Sequence, residues 1–335
     1  MRYLHFLRQK TAAFWFLISL LLIVVILVAL CTGRYPLSIN VVMAVLVSAI
    51  FPIEDLNLLT QWTMTEQRVV MAIRLPRILI AALTGAGLSV AGAALQGIFR
   101  NPLVGPQIIG VSSGAALGGA VAIVLFSSLM LTTALAFVGG LLAMTLVYFL
   151  GRYGGSTRVL MLILAGVVIS AFFTALISLL TYFADPNSTL PTIVFWLMGS
   201  FSTITYHKLF LVTLPVLLGI LLLFLLRFRI NVLSLGDENA AALGVSVEKT
   251  RWLVLIATTL ITAATVAVAG TIGWVGLVGL SWKNQSIDST CSSILVCESV
   301  LSNRVPRMSR NQTLTPTFRL EKKPSWLIRV TKLHC

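Results

Sequence analysis

"RLPRILIAALTGAGLSVAGAALQGIFRNPLVGPQIIGVSSGAALGG", residues 74–119, opens with two arginines at the threshold of a long apolar run. Arginine is expensive near lipid, and it sits badly at a helix start, where the backbone dipole is already positive. Behind Arg74 and Arg77, small residues recur at Ala81–Gly85, Gly87–Ala91 and Ala93–Gly97. That spacing lets neighbouring helix backbones approach closely. More glycine follows in "GVSSGAALGGA" (110–120). Such a stretch predicts a tight bundle of many helices, since single helices packed loosely in lipid would not need it.

The rest of the chain agrees. It has 335 residues, 58% of them hydrophobic and only 10% charged. Several runs exceed the roughly 18–20 apolar residues that cross a bilayer, which predicts an all-α, polytopic membrane protein. Seven spans are expected, near 12–31, 78–97, 108–129, 131–150, 159–181, 208–227 and 252–270. An eighth starts at "GTIGWVGLVGL" (270–280) and is cut off. The first run follows a basic N-terminus but is too long for a signal-peptide core, so it reads as a retained helix. Two apolar stretches are too short to span. "LSINVVMAVLVSAIF" reads as an interfacial helix, and "LPTIVFWLMGSFS" (190–202) as a re-entrant or surface helix.

Basic residues favour an inside N-terminus. With that orientation the inside loops hold ten Lys/Arg and the outside loops five. Four of the five exceptions, Arg34, Arg68, Arg74 and Arg77, fall in one outer loop. Of the net charge of +14, +6 comes from residues 281–335. No aromatic–basic interleaving marks that tail for nucleic acid. Three of the four cysteines also lie there, without a CxxC pair, so neither a disulfide framework nor a metal site is expected.

The middle of no span carries Asp, Glu, Lys or Arg. Proton- or sodium-coupled carriers and charged-filter channels usually keep such groups there. There is no HExxH, and GxSxG is absent from a strand–turn–helix context, so enzymatic chemistry is not expected. There is also no GxxxxGK[ST] phosphate loop. No cofactor is expected in the chain itself, and any energy from ATP must come through a partner subunit. The longest inside loop could receive it. Its "SLGDENAAALG" predicts a short helix, with Ser234 or Asp237 as cap, Asp237 and Glu238 at the positive end, and Gly244 in the left-handed conformation that stops it. An ordinary surface helix fits the same residues.

Five ordered blocks resemble the FecCD-type permeases: residues 74–119, "ILAGVVISAFFTAL" (163–176), "FWLMGSFS" (195–202), "LSLGDENAAALGVSVEKTRW" (233–252) and "VAVAGTIGWVGLVGL" (266–280). These are the transmembrane subunits of type II ABC importers for iron-siderophores, haem, cobalamin and related metal chelates. The resemblance implies about ten helices and a homo- or heterodimer with a second permease subunit. It also implies a cytosolic ABC ATPase that binds the ATP, and a periplasmic or lipid-anchored substrate-binding protein. The expected location is a bacterial plasma (inner) membrane, and iron-siderophore is the default cargo. By the same resemblance, Arg74 and Arg77 receive carboxylates of the binding protein. Asn101 and Leu103 form a cytoplasmic gate, where Pro102 and Pro106 force irregular backbone. Ser234, Leu235, Gly236, Asp237, Glu238, Ala242, Leu243 and Gly244 belong to the segment that couples to the ATPase. Ser170 and Thr174 would line the pathway, although interhelical packing is the reading their own chemistry favours.

The resemblance stops near residue 280. Residues 1–280 read as the permease domain. The switch to Ser, Arg, Asn and Cys in 281–335 reads as another reading frame or a recombined end, with a polar disordered tail as the alternative. Two other functions stay open on the sequence: a secondary carrier or channel with no ATPase, and a truncated permease that does not transport.

Overall fold

The computed structural model describes residues 2–50, 62–152 and 159–271. The expected eighth span beyond Thr271 and the 281–335 tail lie outside them. The described chain is helical, without a strand. Helix α1 (Arg2–Cys31) is followed by α2 (Ile39–Ile50) and the short α3 (Met64–Arg68). A π-helical turn, Val69–Arg74, then leads without a break into α4 (Leu75–Phe99). There follow α5 (Val111–Phe126), α6 (Leu129–Gly151), α7 (Val159–Phe183), α8 (Thr189–Leu197), α9 (Tyr206–Ser234), α10 (Asp237–Ala242) and α11 (Val247–Ala269).

Among the described residues five helices are long and apolar enough to cross a membrane: the α3–α4 rod (Met64–Phe99), α6, α7, α9 and α11. The architecture is thus a polytopic transmembrane bundle. The expected span at 108–129 becomes the 16-residue α5. At 1.5 Å per residue that is about 24 Å, short of a hydrocarbon core of about 30 Å. Part of the depth is covered by irregular chain, residues 101–110, in which Val104, Gly105, Pro106, Ile109 and Gly110 are buried. Non-helical backbone survives at membrane depth only when protein covers it. Here α7 does so: a methyl placed on Gly110 would lie 3.2 Å from the Gly166 carbonyl oxygen.

Helix α11 is the axis. Every residue from Ile261 to Gly270 is buried, and the helix packs against α4, α5, α6 and α9. Thr258, Thr259, Thr262 and Thr265 tolerate burial because their hydroxyls return to the helix's own carbonyls, as Thr259 does to Leu255 (2.7 Å) and Thr262 to Thr258 (2.8 Å). Glycine sets the closest approach, between α5 and α6, where a methyl on Gly118 would sit 2.1 Å from the Leu135 carbonyl oxygen. The small-residue stripe of α4 divides. Gly87 and Ala91 are buried, and a methyl on Gly87 would meet Ile261 at 2.9 Å, whereas Gly85 faces open space.

The two predicted short helices form, as α2 and α8. Helix α2 buries Val42 and Val45 against α1 and the π turn. Helix α8 buries Ile193 and lays the Trp196 ring on Gly119 of α5. Its other face leaves Val194, Phe195 and Met198 exposed.

Candidate functional site

Helix α4 has 25 residues and is about 37 Å long, so its ends define two separate faces of the bundle. The predicted residues divide between them.

At the N-terminal end of α4, the π turn brings Arg74 inward. Arg74 is only 8% exposed, and its guanidinium donates to the carbonyl oxygens of Leu30 and Tyr35. Leu30 lies in the last turn of α1, where carbonyls lack intrahelical partners and the dipole is negative. Arg74 therefore caps α1 with a cation. Arg77 lies one turn on, half-buried, and donates to the Ser202 carbonyl oxygen in the loop between α8 and α9. Its Nε is buried without a hydrogen-bond partner. Tyr206 ties the same loop back to the π turn, its hydroxyl donating to the Met71 carbonyl oxygen at 2.6 Å. Of the two arginines expected to meet a partner, Arg74 has its guanidinium turned into the fold. Arg77 sits closer to the surface.

Two described acids at this end are otherwise engaged. Glu66 closes a capping box with Thr63 at 2.7 Å, and Asp185 accepts from the Ser188 hydroxyl. That hydroxyl holds the Asp185 carboxyl below the usual carboxylate range. Among the described residues no ion pair forms here. Beside Ser202 lies a cavity of about 650 Å³, rich in hydroxyls (Ser127, Thr132, Thr133, Thr192) and bordered by Lys208.

The C-terminal end of α4 carries the ion pairs. Arg100 leaves the helix in the left-handed conformation (φ 52). Asn101 then turns the chain, its side-chain oxygen accepting from the Leu103 N–H at 2.9 Å. Leu103 is 65% exposed at the tip before the segment dives under cover at Val104. Opposite stands α10. Asp237 accepts two bonds from the Arg251 guanidinium, both 3.0 Å, and lies 3.7 Å from Arg100. Arg251 is 3% exposed. Close by, Arg152 of α6 pairs with Glu248 of α11 at 3.3 Å.

The short helix expected in "SLGDENAAALG" forms, over Asp237–Ala242, but its start differs from expectation. Gly236 is the cap residue (φ 117) and contributes no side-chain bond. The Ser234 hydroxyl instead donates to Asn231 at the end of α9 (2.7 Å), and Asp237 is drawn to Arg251. The far end is as predicted: Gly244 is left-handed (φ 77), with Gly244 N–H to Ala241 O (3.0 Å) and Val245 N–H to Ala240 O (2.9 Å) closing the helix. Ala240 is buried, while Glu238, Ala242 and Gly244 face outward. Leu235 and Leu243 are 59% and 65% exposed.

Ser170 and Thr174 lie on α7, away from both ends. The Ser170 hydroxyl lies 3.1 Å from where a methyl on Gly110 would be, so this residue packs under the irregular segment. Thr174 is exposed and bonds back to the Ser170 carbonyl oxygen at 2.8 Å.

Sequence reasoning missed Arg100 and Arg251 as partners of Asp237. The available signal was a basic residue in the first turns of a predicted span (Arg251) with an acid in the loop before it.

The FecCD transport family matches residues 21–284. The molybdate import permease MolB of Haemophilus influenzae is 42% identical over 251 residues, covering 74% of this chain and 72% of that one. A probable iron chelatin permease of Helicobacter pylori is also 42% identical, over 198 residues, 59% of this chain and 60% of that one. Among solved structures, a metal-chelate type ABC transporter in an inward-facing conformation superposes with a TM-score of 0.72. Its identity is 39%, and 86% of each chain is covered. The chain belongs to the FecCD transport family and is a membrane-spanning permease of the ABC importer type.

Proposed function

We propose that this permease carries a metal chelate, iron-siderophore first, into a bacterial cell by alternating access. The N-terminus is then cytoplasmic in the inner membrane, and the permease pairs with a second permease subunit. The Arg77 end faces outward to a substrate-binding protein, and α10 faces a cytosolic ATPase. Arg77 offers its charge to carboxylates of the binding protein, and Arg74 holds the platform beneath it. Asn101 and Leu103 form the inner gate, and Thr174 lies on the exposed face of α7 that turns toward the pathway.

The observation that carries this reading is α10 itself. It is a stopped helix with an outward apolar rim (Leu235, Leu243) and an ion-paired, buried inner side. An ordinary loop helix has no need to be both presented and fastened. For the cargo, the iron chelatin relative and the metal-chelate transporter support a chelate. A second reading, molybdate, is favoured by the match to MolB, the longer of the two.

The test is uptake into proteoliposomes holding the permease with its ATPase and binding protein. Ferric siderophore, haem, cobalamin and molybdate are supplied in turn. ATP-dependent uptake of a ferric chelate is expected. Uptake of molybdate alone would replace the cargo, and uptake driven by an ion gradient without ATP would overturn the ABC reading for this chain.

A further inference from the structure

Two arginines at the C-terminal end of α4 converge on one carboxylate. Arg251, buried in the second turn of α11, grips both oxygens of Asp237 at 3.0 Å. Both bonds come from one nitrogen, Nη2, a charge-assisted contact that holds the carboxylate close. The first residue of α10 is therefore fastened to the central helix of the bundle. On its other side Asp237 reaches Arg100 at 3.7 Å. Arg100 also lies over the turn before α10, its Nη1 3.4 Å from where a methyl on Gly236 would be. Arg100 is the residue at which α4 ends and the irregular segment begins, and one residue on, Asn101 sets the turn that exposes Leu103.

We propose that Asp237 and Arg100 form a relay in which displacement of α10 is passed to the 101–106 segment. This inference rests on the importer reading, because it takes α10 as the part a motor moves. A push on α10 moves Asp237, Asp237 and the Gly236 turn carry the Arg100 guanidinium, and Arg100 turns the backbone that presents Leu103. An exposed pair at this distance adds little to stability. Its value lies in position, since it is the side-chain link described between the coupling helix and the segment that dips into the bundle. Arg251 supplies the stiff side of the joint and Arg100 the responsive side. Arg100 is thus a positioning residue: it touches neither ATP nor cargo.

The experiment measures transport per ATP hydrolysed by the full complex in proteoliposomes. Arg100→Gln is expected to lower this ratio about tenfold, and Arg100→Lys to keep at least half of it. Equal ratios in wild type and Arg100→Gln would overturn the relay and leave the importer reading intact. A wild-type complex that hydrolyses ATP without transport would instead sink the importer reading. For that case a second arm uses the permease alone, with its four cysteines replaced by serine. Nitroxides at Leu103→Cys and Leu243→Cys report the distance between segment and coupling helix. A narrow distribution that broadens in Arg100→Gln supports the mechanical link, and one that does not change overturns it.

Discussion

The two ends of α4 treat arginine in opposite ways. At the N-terminal end, Arg74 and Arg77 donate to main-chain carbonyls of Leu30, Tyr35 and Ser202, and among the described residues no carboxylate meets them. At the C-terminal end, Arg100, Arg152 and Arg251 all meet Asp237 or Glu248. Carbonyl oxygens orient a guanidinium without cancelling its charge, so the first end keeps a positive field. Carboxylates offset part of the charge and tie helices together, so the second end, though still net positive, is mechanically continuous. A field favours recruitment of an acidic partner; a tie favours transmission of movement. The same residue type serves both ends because what answers it differs.

The sharpest way to break this contrast is to remove the carboxylate from the tied end. Asp237→Ala removes the carboxylate that accepts from the buried Arg251 guanidinium. Breaking a fully buried pair typically costs about 3–5 kcal/mol, but Asp237 is itself 42% exposed, so a loss of about 2–3 kcal/mol is expected. Thermal unfolding of the purified permease in detergent measures it. A variant as stable as wild type would mean that Arg251 is held by its other surroundings and that the tie between α10 and α11 is incidental.

The second test separates Arg74 from Arg77. Arg74→Ala removes the cap of α1 and strands carbonyls in a buried place, a loss of about 1–3 kcal/mol in stability. Arg77→Ala should change stability by less and weaken capture of the binding protein by about tenfold, near 1.4 kcal/mol, at low salt. Unfolding curves and binding of the purified partner to both variants give the comparison. Binding weakened equally by both, with neither destabilised, would restore the symmetric role that the sequence implied.

That symmetry shows where sequence reading stops. Apolar run length placed five crossing helices, though it also claimed 108–129, and the Gly87–Ala91 spacing did mark a packed face, because both are local patterns that burial enforces directly. The Gly244 stop was readable for the same reason: a left-handed residue after an alanine run has few other uses. What could not be read was which partner each charge would find. Asp237 looks like a helix cap in sequence, since acids suit the first turn, yet Arg251, fourteen residues on, outcompetes the cap. Arg74 looks like a free surface charge until the π turn rotates it toward α1. Gly85 obeys the same spacing rule as Gly87 but meets nothing within 4 Å. Such outcomes depend on the rotation of one helix against another, which no single segment encodes.

The smallest expected effect belongs to the pair between Arg152 and Glu248. Its geometry at 3.3 Å is better than that of Arg100 with Asp237, and it too joins the end of one spanning helix to the start of another. Both side chains are nevertheless half exposed, 55% and 46%, so water and salt screen them. Exposed pairs contribute about 0–1 kcal/mol, and Arg152→Ala should cost about 0.5 kcal/mol, vanishing in high salt. The stacking of Tyr148 on Trp252, with centroids 3.8 Å apart, already joins the same two helices one turn deeper. A loss above about 2 kcal/mol, measured by unfolding at low and high salt, would place Arg152 with Arg251 among the structural ties. A small, salt-sensitive loss makes burial, rather than pairing as such, the property that separates the fixed joint at Asp237 from the movable contacts around it.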